Sequence, residues 1–415
     1  MARPVRSTLA VVALAAAVVG AVAVLLIGKA AGWIGHATSR TVVVSAPAET
    51  GRAAPATVTT PSAGKPLAGN GFDPARIFAT RAAGVVTVFS FFGAPDSPPA
   101  QAAQGSGFVV SRSGLILTDA HVITNAGEQS GGPVKPARQI YVEFSDRDRI
   151  PARIVGWDVF DDVGLIRIDP KQHAVDAVPL GDSDRVVVGA PVAAIGSPLG
   201  NEDTLTVGVV SAIHRSIPAL TVERFQLVDA IQTDAPITHG NSGGPLFDAR
   251  GRVIGINAQI RSQSGTGNDA GIGFAVPIDS ARRSMQELLA SGRVRYAYVG
   301  VTTEDLTPAL ARHIHLPVLH GALIDDVTSG GPGAKAGLHG GTAVEAFEGQ
   351  QIKRGGDVIV AVDGIPVQGA DDVVRIVATR LHPGQAATFT VVRGGTRRTV
   401  AVRLGERPAN PGNGG

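Results

Sequence analysis

The stretch THGNSGGPLFD, residues 238–248, surrounds one serine, Ser242, with three glycines and closes with Pro245. Such a segment is typical of a tight turn between strands in many β-rich proteins. It also suits a nucleophile, because glycines let backbone N–H groups converge on one point, as an oxyanion hole requires. The stretch by itself leaves both interpretations open. A catalytic serine needs a histidine and a carboxylate from elsewhere in the chain.

Among the ten histidines, His121 has the most defined setting. It lies in LTDAHVI, directly after an apolar strand and at the start of a tight turn, so its side chain is held in one direction. A half-buried structural histidine is the alternative explanation. For the carboxylate, WDVFDDVGLIRID contains Asp158, Asp161, Asp162 and Asp169. Asp162 immediately precedes the apolar strand VGLIRI and can point inward from it, whereas we interpret the other three as turn formers.

Composition limits the function classes that this chain can have. Its 415 residues suffice for two or three domains. The 37 Lys plus Arg against 35 Asp plus Glu leave a net charge of +2, which predicts no nucleic-acid partner. The absence of cysteine excludes disulfides and thiolate chemistry.

The N-terminus predicts a membrane anchor. Arg3 and Arg6 precede an uncharged apolar run over residues 9–27, which is long enough to span a bilayer as a helix. Basic residues before the run favour a cytoplasmic N-terminus, with the rest of the chain on the extracytoplasmic side. A cleaved signal peptide, with small residues at 35–37, is the alternative.

Short apolar stretches with Gly, Pro or Asp turns follow from residue 85 onward and predict β-barrels or a sandwich. DSARRSMQELLASG then predicts an amphipathic helix with Asp279 or Ser280 as N-cap and Gly292 after its end. A smaller unit follows, with a strand in YAYVGV and helices in GPGAKAGL and ADDVVRIVATRL. Hairpins are predicted at Asp363-Gly364 and at Gly394-Gly395.

The candidate residues occur in the order histidine, aspartate, serine, which is that of chymotrypsin-type double β-barrels. The chain resembles the HtrA (Deg) family of serine proteases, in which a trypsin-like domain is followed by a PDZ domain. The matching motifs are GSGFVVSRSGLILTDAHVI, DDVGLIRI, IGSPLG, TVGVVSAI, QTDAPITHGNSGGPLFD, VIGIN and GIGFAVPID. They cover most of residues 73–290. The implied fold is mainly β, a chymotrypsin-like double β-barrel followed by an α+β PDZ domain, with an N-terminal transmembrane helix.

The resemblance implies a division of the chain into six segments. They are a cytoplasmic N-terminus (1–6), a transmembrane anchor (7–28), a flexible linker (29–72), a trypsin-like protease domain (73–292), a PDZ domain (295–405) and a disordered tail (406–415). The insertion HGGTAVEAFEGQQIKR, within the PDZ segment, departs from the family pattern. Its effect on the peptide groove stays open, and a PDZ fold used only for packing is the alternative.

The resemblance implies Ser242 as nucleophile, His121 as general base and acid, and Asp162 as the carboxylate that orients the imidazole. The backbone N–H groups of Gly240 and Ser242, with Asn241 between them, form the implied oxyanion hole. Asn241 carries no charge and cannot pair with a freed N-terminal amine, as the Asp of trypsin-like zymogens does. We therefore expect activation by loop ordering. No metal or other cofactor is expected.

Further sites are also implied by the resemblance. The implied substrate-binding residues are Ile237 at the primary pocket and Asn257, Ala258, Gln259 and Ile260 on the strand that pairs with substrate. The implied carboxylate-binding loop of the PDZ domain consists of Tyr298, Val299, Gly300 and Val301. We interpret His313, His315 and His320 as a loose surface cluster, because no metal-ligand spacing accompanies them.

The implied activity is that of a membrane-tethered serine endopeptidase that cleaves misfolded or regulatory extracytoplasmic proteins through an acyl-enzyme. The implied partners are unfolded or extended protein substrates, C-terminal peptides at the PDZ domain, the lipid bilayer through the N-terminal helix, and further copies in a homotrimer. Phe72 and Phe78 are available for trimer contacts. The rival hypothesis is a tethered PDZ-type peptide-binding protein or chaperone with little proteolysis.

The residues that precede Ser242 predict the type of residue after which substrates are cleaved. No Asp lies five to seven residues before Ser242 to attract Lys or Arg, and Asp234 lies eight before it. We therefore predict cleavage after small or medium aliphatic residues such as Val, Ala or Ile, measured by mass spectrometry of a digested peptide library. Cleavage chiefly after Arg or Lys would contradict this prediction.

Overall fold

Antiparallel strands are the main regular element in the described part of the chain, as the sequence pattern predicted. The computed structural model describes residues 71–93, 102–126, 134–196, 204–218, 226–238, 240–258 and 272–408. Within these ranges no helix has the length and apolar character to cross a membrane, and the predicted anchor lies outside them. Helix α1 (Pro74–Arg81) comes first, and its Ile77 is buried.

The first six strands close into a barrel in the order β1-β2-β3-β6-β5-β4. They are β1 (Val85–Phe91), β2 (Ala102–Val109), β3 (Leu115–Asp119), β4 (Gln139–Glu143), β5 (Arg149–Asp158) and β6 (Val163–Ile168). A one-turn helix, α2 (Ala120–Ile123), follows β3. All five residues of β3 are buried, which fixes the direction in which the chain enters α2.

The next six strands close into a second barrel in the order β10-β11-β12-β9-β8-β7. They are β7 (Pro191–Gly196), β8 (Thr204–Pro218), β9 (Gln226–Thr233), β10 (Pro245–Phe247), β11 (Val253–Ala258) and β12 (Gly273–Pro277). The predicted double β-barrel is therefore confirmed. The predicted transmembrane helix stays a prediction.

One apolar cluster contains residues of both barrels. Phe108 and Leu165 come from the first barrel, Phe247 and Ile256 from the second, and all four are fully buried. Phe72 and Phe78 pack against this cluster and are half-buried within the chain itself. Burial of this shared apolar surface holds the two barrels together.

Helix α3 (Ile278–Ser291) starts directly after β12, so its N-cap is Pro277 and the predicted cap at Asp279 or Ser280 is wrong. The carboxylate of Asp279 instead accepts hydrogen bonds from the N–H and the hydroxyl of Ser183, at 2.7 and 2.8 Å. The helix ends at Gly292 in the left-handed conformation, as predicted.

The smaller unit is built on a sheet with the order β14-β15-β18-β20-β21, and β19 pairs with β18. Its elements are β13 (Ala297–Tyr298), β14 (Val301–Asp305), α4 (Pro308–His313), β15 (Ala322–Val327), α5 (Pro332–Ala336), β16 (Ala343–Phe347), β17 (Gln350–Arg354), β18 (Val358–Val362), β19 (Ile365–Pro366), α6 (Ala370–Arg380), β20 (Ala386–Arg393), β21 (Thr396–Arg403) and β22 (Gly405–Glu406). The two predicted helices and both predicted hairpins are confirmed.

The structure of this unit adds to or differs from the sequence expectations at YAYVGV, at the insertion and at the C-terminal tail. YAYVGV is not one strand, because Val299 and Gly300 separate β13 from β14. The insertion at 339–354 forms the hairpin β16–β17, and its buried Ile352 packs in a cluster with residues of α4 and β15. The tail predicted from 406 onward is wrong at its start, since β22 pairs with β13 and the Arg407 N–H donates to the Tyr296 carbonyl, and residues 409–415 lie outside the described residues.

The packing of α3 predicts a difference between two adjacent leucines. Leu288 is 2% exposed and its side chain lies over Gly156 of β5, whereas Leu289 is 45% exposed. Leu288→Ala should lower the free energy of unfolding by about 2–5 kcal/mol, and the control Leu289→Ala should change it by less than about 0.5 kcal/mol. Urea unfolding in a Ser242→Ala background measures both, and equal midpoints would contradict the assigned packing.

Candidate active site

The first barrel brings His121 and Asp162 together. His121 lies in α2, and its ring Nδ1 is 2.7 Å from the Asp162 Oδ2 atom. The backbone N–H of His121 donates to the Asp162 Oδ1 atom at 2.9 Å. The backbone N–H of Ala120 donates to the Asp162 carbonyl oxygen at 3.0 Å. The two predicted residues therefore form a pair whose relative orientation is set by three hydrogen bonds.

Asp162 has a left-handed backbone conformation, with φ of 52°. That conformation costs a residue with a side chain roughly 1–3 kcal/mol, although Asp tolerates it better than most. The hydrogen bonds from α2 offset this cost. The conformation lies between β5 and β6, where it turns the carboxylate toward the imidazole.

Opposing effects act on the imidazole of His121. Burial by itself lowers the pKa of His121, but the charge and hydrogen bond of Asp162, followed by the charge of Asp119, raise it to about 9. The carboxylates therefore favour the imidazolium form. A carboxylate placed in this way stabilises the positive charge that appears on an imidazole when the ring accepts a proton.

The second barrel supplies Ser242 on the turn before β10. The Ser106 N–H on β2 donates to the Ser242 carbonyl oxygen at 2.8 Å, and the Ser106 hydroxyl donates to the Gly240 carbonyl. Gly243 follows with φ of 83°, and a Cβ atom there would lie 2.2 Å from the Ser106 carbonyl oxygen. Only glycine fits this position, which is why the turn can lie against the first barrel.

The Ser242 hydroxyl is buried and makes no hydrogen bond within the part of the chain that the structure describes, so the expected bond to His121 is not formed. Such bonds are often long in substrate-free sites and tighten when substrate binds. Over the same described ranges, the N–H groups of Gly240 and Ser242 donate to no acceptor. Two free N–H groups beside a serine are the donors that an oxyanion needs.

Asn241 and Asn257 support this turn from inside. The Asn241 N–H donates to the Thr238 carbonyl at 3.0 Å, and the residue is 1% exposed. The Asn257 N–H donates to Gly244, its carbonyl accepts from Gly243, and its side-chain amide donates to Pro245. Asn257 is fully buried. These contacts give Asn257 a structural role in the turn, and its implied place on the strand that pairs with substrate stays a prediction.

The other implied substrate residues lie on either side of this turn. Ile237 is half-buried and packs beside Gly273 of β12. Ala258 ends β11 opposite Phe274 and is 4% exposed. Gln259 and Ile260 lie outside the described residues.

Asp119 was missed by the sequence analysis. It ends β3 two residues before His121, and it is fully buried. Its signal in the sequence is an acidic residue at the end of the apolar stretch LILT. In the described ranges, Asp119, His121 and Asp162 form the group whose possible metal-ligand atoms lie within 4.8 Å of one another. Because His121 and Asp162 already bond to each other, the arrangement fits proton transfer better than metal binding.

Comparison with known proteins assigns the two units to families. Residues 105–256 match a trypsin-like peptidase domain and residues 297–404 match a PDZ domain. The solved structure of the HtrA-type protease AlgW with a tripeptide is 32% identical to this chain, with a TM-score of 0.64, and the match covers 82% of this chain and 99% of AlgW. The chain belongs to the HtrA-type family of serine proteases.

Other relatives of this HtrA-type chain agree. The probable periplasmic serine endoprotease DegP-like of Pseudomonas fulva (strain 12-X) is 38% identical over 309 residues, which are 74% of this chain and 57% of the relative. The corresponding protein of Hahella chejuensis (strain KCTC 2396) is 38% identical over 323 residues, 77% of this chain and 61% of the relative. The chain thus spans about three fifths of the length of these relatives.

Asp158 and Asp161, on the loop that carries Asp162, do more than form a turn. Asp158 accepts from the Phe160 N–H, as a turn former does, but it is 2% exposed and also accepts from the hydroxyls of Ser284 and Tyr296. Burial, followed by the charge of Asp161, raises the pKa of Asp158 to about 6. The interpretation of Asp158 as only a turn former is therefore wrong.

Arg283 of α3 extends this cluster to the PDZ domain. Its guanidinium donates to the Asp161 carboxylate at 3.0 Å and to the Ala378 carbonyl of α6, and it lies over the Tyr296 ring. A continuous set of contacts therefore joins α6 to the loop that carries Asp162.

Asp169, by contrast, is exposed and accepts from the Lys171 N–H as a turn former, as predicted.

The implied carboxylate-binding loop has its carbonyl groups occupied. The Val299 carbonyl accepts from the Gly333 N–H at 2.7 Å, and the Gly300 carbonyl accepts from the Thr328 N–H at 2.9 Å. Tyr298 pairs with Gly405 in the short sheet. For the N–H groups of Val299 and Gly300 no protein acceptor is found among the described residues. Such free donors are what a peptide carboxylate requires.

The raised pKa of Asp158 predicts a pH-dependent stability. The folded protein holds a proton on Asp158 between about pH 4 and 6 that the unfolded chain releases. Stability from this group is therefore present at low pH and is lost as the pH rises through about 6. The free energy of unfolding of the wild type, relative to that of Asp158→Asn, should fall by about 2 kcal/mol between pH 4.5 and 7.5.

Urea unfolding at both pH values measures this difference, again in a Ser242→Ala background. Asp169→Asn serves as the control, because Asp169 is exposed. An identical pH dependence of stability with Asp158 and with Asn at this position would contradict the prediction.

Proposed function

We propose that this chain is a serine endoprotease that uses Ser242 as nucleophile, His121 as general base and acid, and Asp162 as the orienting carboxylate. The observation that carries the proposal is the hydrogen-bonded pair of His121 and Asp162 in the first barrel. The glycine turn that carries Ser242 in the second barrel is hydrogen-bonded to Ser106 of the first barrel. Gly243 is the contact point, because a Cβ atom there would lie 3.0 Å from the Asp119 nitrogen.

The proposed reaction is acyl transfer in two stages. The Ser242 oxygen attacks the peptide carbonyl carbon while His121 accepts the hydroxyl proton, and the N–H groups of Gly240 and Ser242 bind the oxyanion. His121 then gives the proton to the departing amine, which leaves an acyl-enzyme. Water attacks the ester by the same route in reverse and frees Ser242. Asp162 accepts the hydrogen bond of the imidazole Nδ1–H throughout and orients the ring.

The proposed substrates are unfolded or extended protein segments that pair as an added strand and are cut after small or medium aliphatic residues. Ile237 is the residue proposed for the primary pocket. The strand proposed to pair with substrate consists of Asn257, Ala258, Gln259 and Ile260. The PDZ domain is proposed to bind peptide C-termini at Tyr298 to Val301. Support comes from the N–H groups of that loop, which have no acceptor among the described residues, and from the structure of AlgW with a tripeptide.

We propose that the protein acts outside the cytoplasm, in keeping with relatives named as periplasmic. Anchoring by residues 7–28, the other proposed segment boundaries and a homotrimer are part of the proposal and rest on the sequence. The half-burial of Phe72 and Phe78 leaves part of each ring for such contacts.

Casein cleavage by the full chain in detergent tests the activity. The wild-type chain should cleave casein, and Ser242→Ala should lose at least about 10⁴-fold in kcat/KM, since the nucleophile is removed. Asp162→Asn should lose about 10⁴-fold in kcat, because the imidazole then adopts the wrong tautomer. Hydrophobic C-terminal peptides should stimulate the wild-type rate, and a rate unchanged by peptide would argue for a PDZ domain used only in packing.

The second candidate function is that of a tethered PDZ-type peptide-binding protein or chaperone. Among the described residues the Ser242 hydroxyl has no hydrogen-bond partner, which favours this function, because an unassembled triad cleaves nothing. A fluorophosphonate probe separates the two functions. Labelling of the wild-type chain that Ser242→Ala abolishes supports the protease, whereas a folded, unlabelled chain that still binds peptides supports the binding protein.

A further inference from the structure

Asp119 is a buried carboxyl group for which the proposed mechanism has no use. It is fully buried, and neither of its carboxylate oxygens accepts a hydrogen bond within the described part of the chain. The nearby N–H of Gly243 donates to the Asn257 carbonyl instead, at 2.8 Å. A carboxyl group without such partners is costly to bury. The role of Asp119 therefore depends on the groups that lie next to its carboxyl group.

Asp119 faces the imidazole of His121. The Asp119 Oδ2 atom lies 3.9 Å from His121 Nδ1, and the Asp162 Oδ2 atom lies 2.7 Å from the same nitrogen. One ring nitrogen therefore lies near two carboxyl groups, one in hydrogen-bond contact and one just beyond it. A charge at this distance in a buried site acts strongly on a neighbouring titratable group.

We propose that Asp119 is a second carboxyl group of the catalytic unit, a positioning residue that acts on the imidazole of His121 and sets the pH at which His121 becomes a free base. This rests on the proposed function. While His121 carries the proton taken from Ser242, its positive charge faces both Asp162 and Asp119. The proton then passes to the leaving amine, and the charge on the ring disappears.

The titration behaviour of the three groups agrees with this geometry. Burial, followed by repulsion from Asp162, raises the pKa of Asp119 well above its ordinary value, and the positive charge of His121 acts in the opposite direction. Asp162 and His121 are the two ionisable groups that act on Asp119. When a carboxyl group and an imidazole interact strongly, their protons are lost in steps whose pKa values belong to the pair.

NMR titration of the His121 imidazole tests the proposal without any need for catalysis. The full chain carries Ser242→Ala and ¹³C-labelled histidine, and the signal that disappears in His121→Ala identifies the ring. A negative charge favours the imidazolium, so Asp119→Asn should lower the pKa of His121 by about 1 or more. An unchanged pKa in Asp119→Asn overturns the proposal.

Asp169→Asn is the matched control, because it removes one carboxylate at the other end of β6 from Asp162, in an exposed position. It should leave the pKa of His121 unchanged. If Asp169→Asn and Asp119→Asn lower that pKa equally, the effect is one of net charge and the proposal fails. If Asp119→Asn does not fold, the ¹³C signal of the Asp119 carboxyl in the Ser242→Ala protein decides, and a signal that titrates independently of His121 overturns the proposal.

Kinetics on the chain with Ser242 intact give the second readout. The acidic limb of kcat/KM for Asp119→Asn should lie about one pH unit or more below that of the wild type. At a pH below both limbs, kcat/KM as a fraction of its plateau value should therefore be about tenfold higher for Asp119→Asn than for the wild type. Coincident limbs overturn the proposal. If the wild-type chain neither cleaves casein nor reacts with a fluorophosphonate, the proposed function fails, and the NMR titration still decides the role of Asp119.

Discussion

The hydrogen bond from the Ser106 N–H to the Ser242 carbonyl is the contact on which the candidate active site depends. His121 and Asp162 belong to the first barrel and Ser242 to the second, so the site exists only if the barrels are held in register there. The shared apolar cluster supplies the attraction, which has no direction of its own. This hydrogen bond and the close approach at Gly243 supply the direction.

Buried carboxyl groups concentrate around one loop of this protein. Asp162 and Asp158 each accept several hydrogen bonds, which offset the cost of removing a carboxyl group from water. Asp161 is paired with Arg283, which also contacts α6 of the PDZ domain. The electrostatics of the loop therefore depend on contacts from both the protease and the PDZ domain. Asp119 differs from these groups because its oxygens accept no hydrogen bond in the described part of the chain and its carboxyl group lies beside the imidazole of His121.

Much of the fold and the central residues could be predicted from local patterns. The hairpins at Asp363-Gly364 and Gly394-Gly395 and the helix stop at Gly292 follow from backbone preferences of a few residues. The cap of α3 could not be predicted, because Asp279 is taken by Ser183, which lies 96 residues earlier in the chain. The local preference of a carboxylate to cap a helix is overridden when a distant residue donates more hydrogen bonds to the same carboxylate.

The sequence by itself determined the strand-rich class, the glycine turn around Ser242 and the pairing of His121 with Asp162, since each depends on short motifs and their order. Tertiary structure alone decided which polar side chains turn inward. The side chain of Asn257 donates to the turn at Pro245, and Asp119 lies beside the imidazole. The physical reason is that the burial and the pKa of a polar group depend on neighbours brought from distant parts of the chain, and no local pattern records these neighbours.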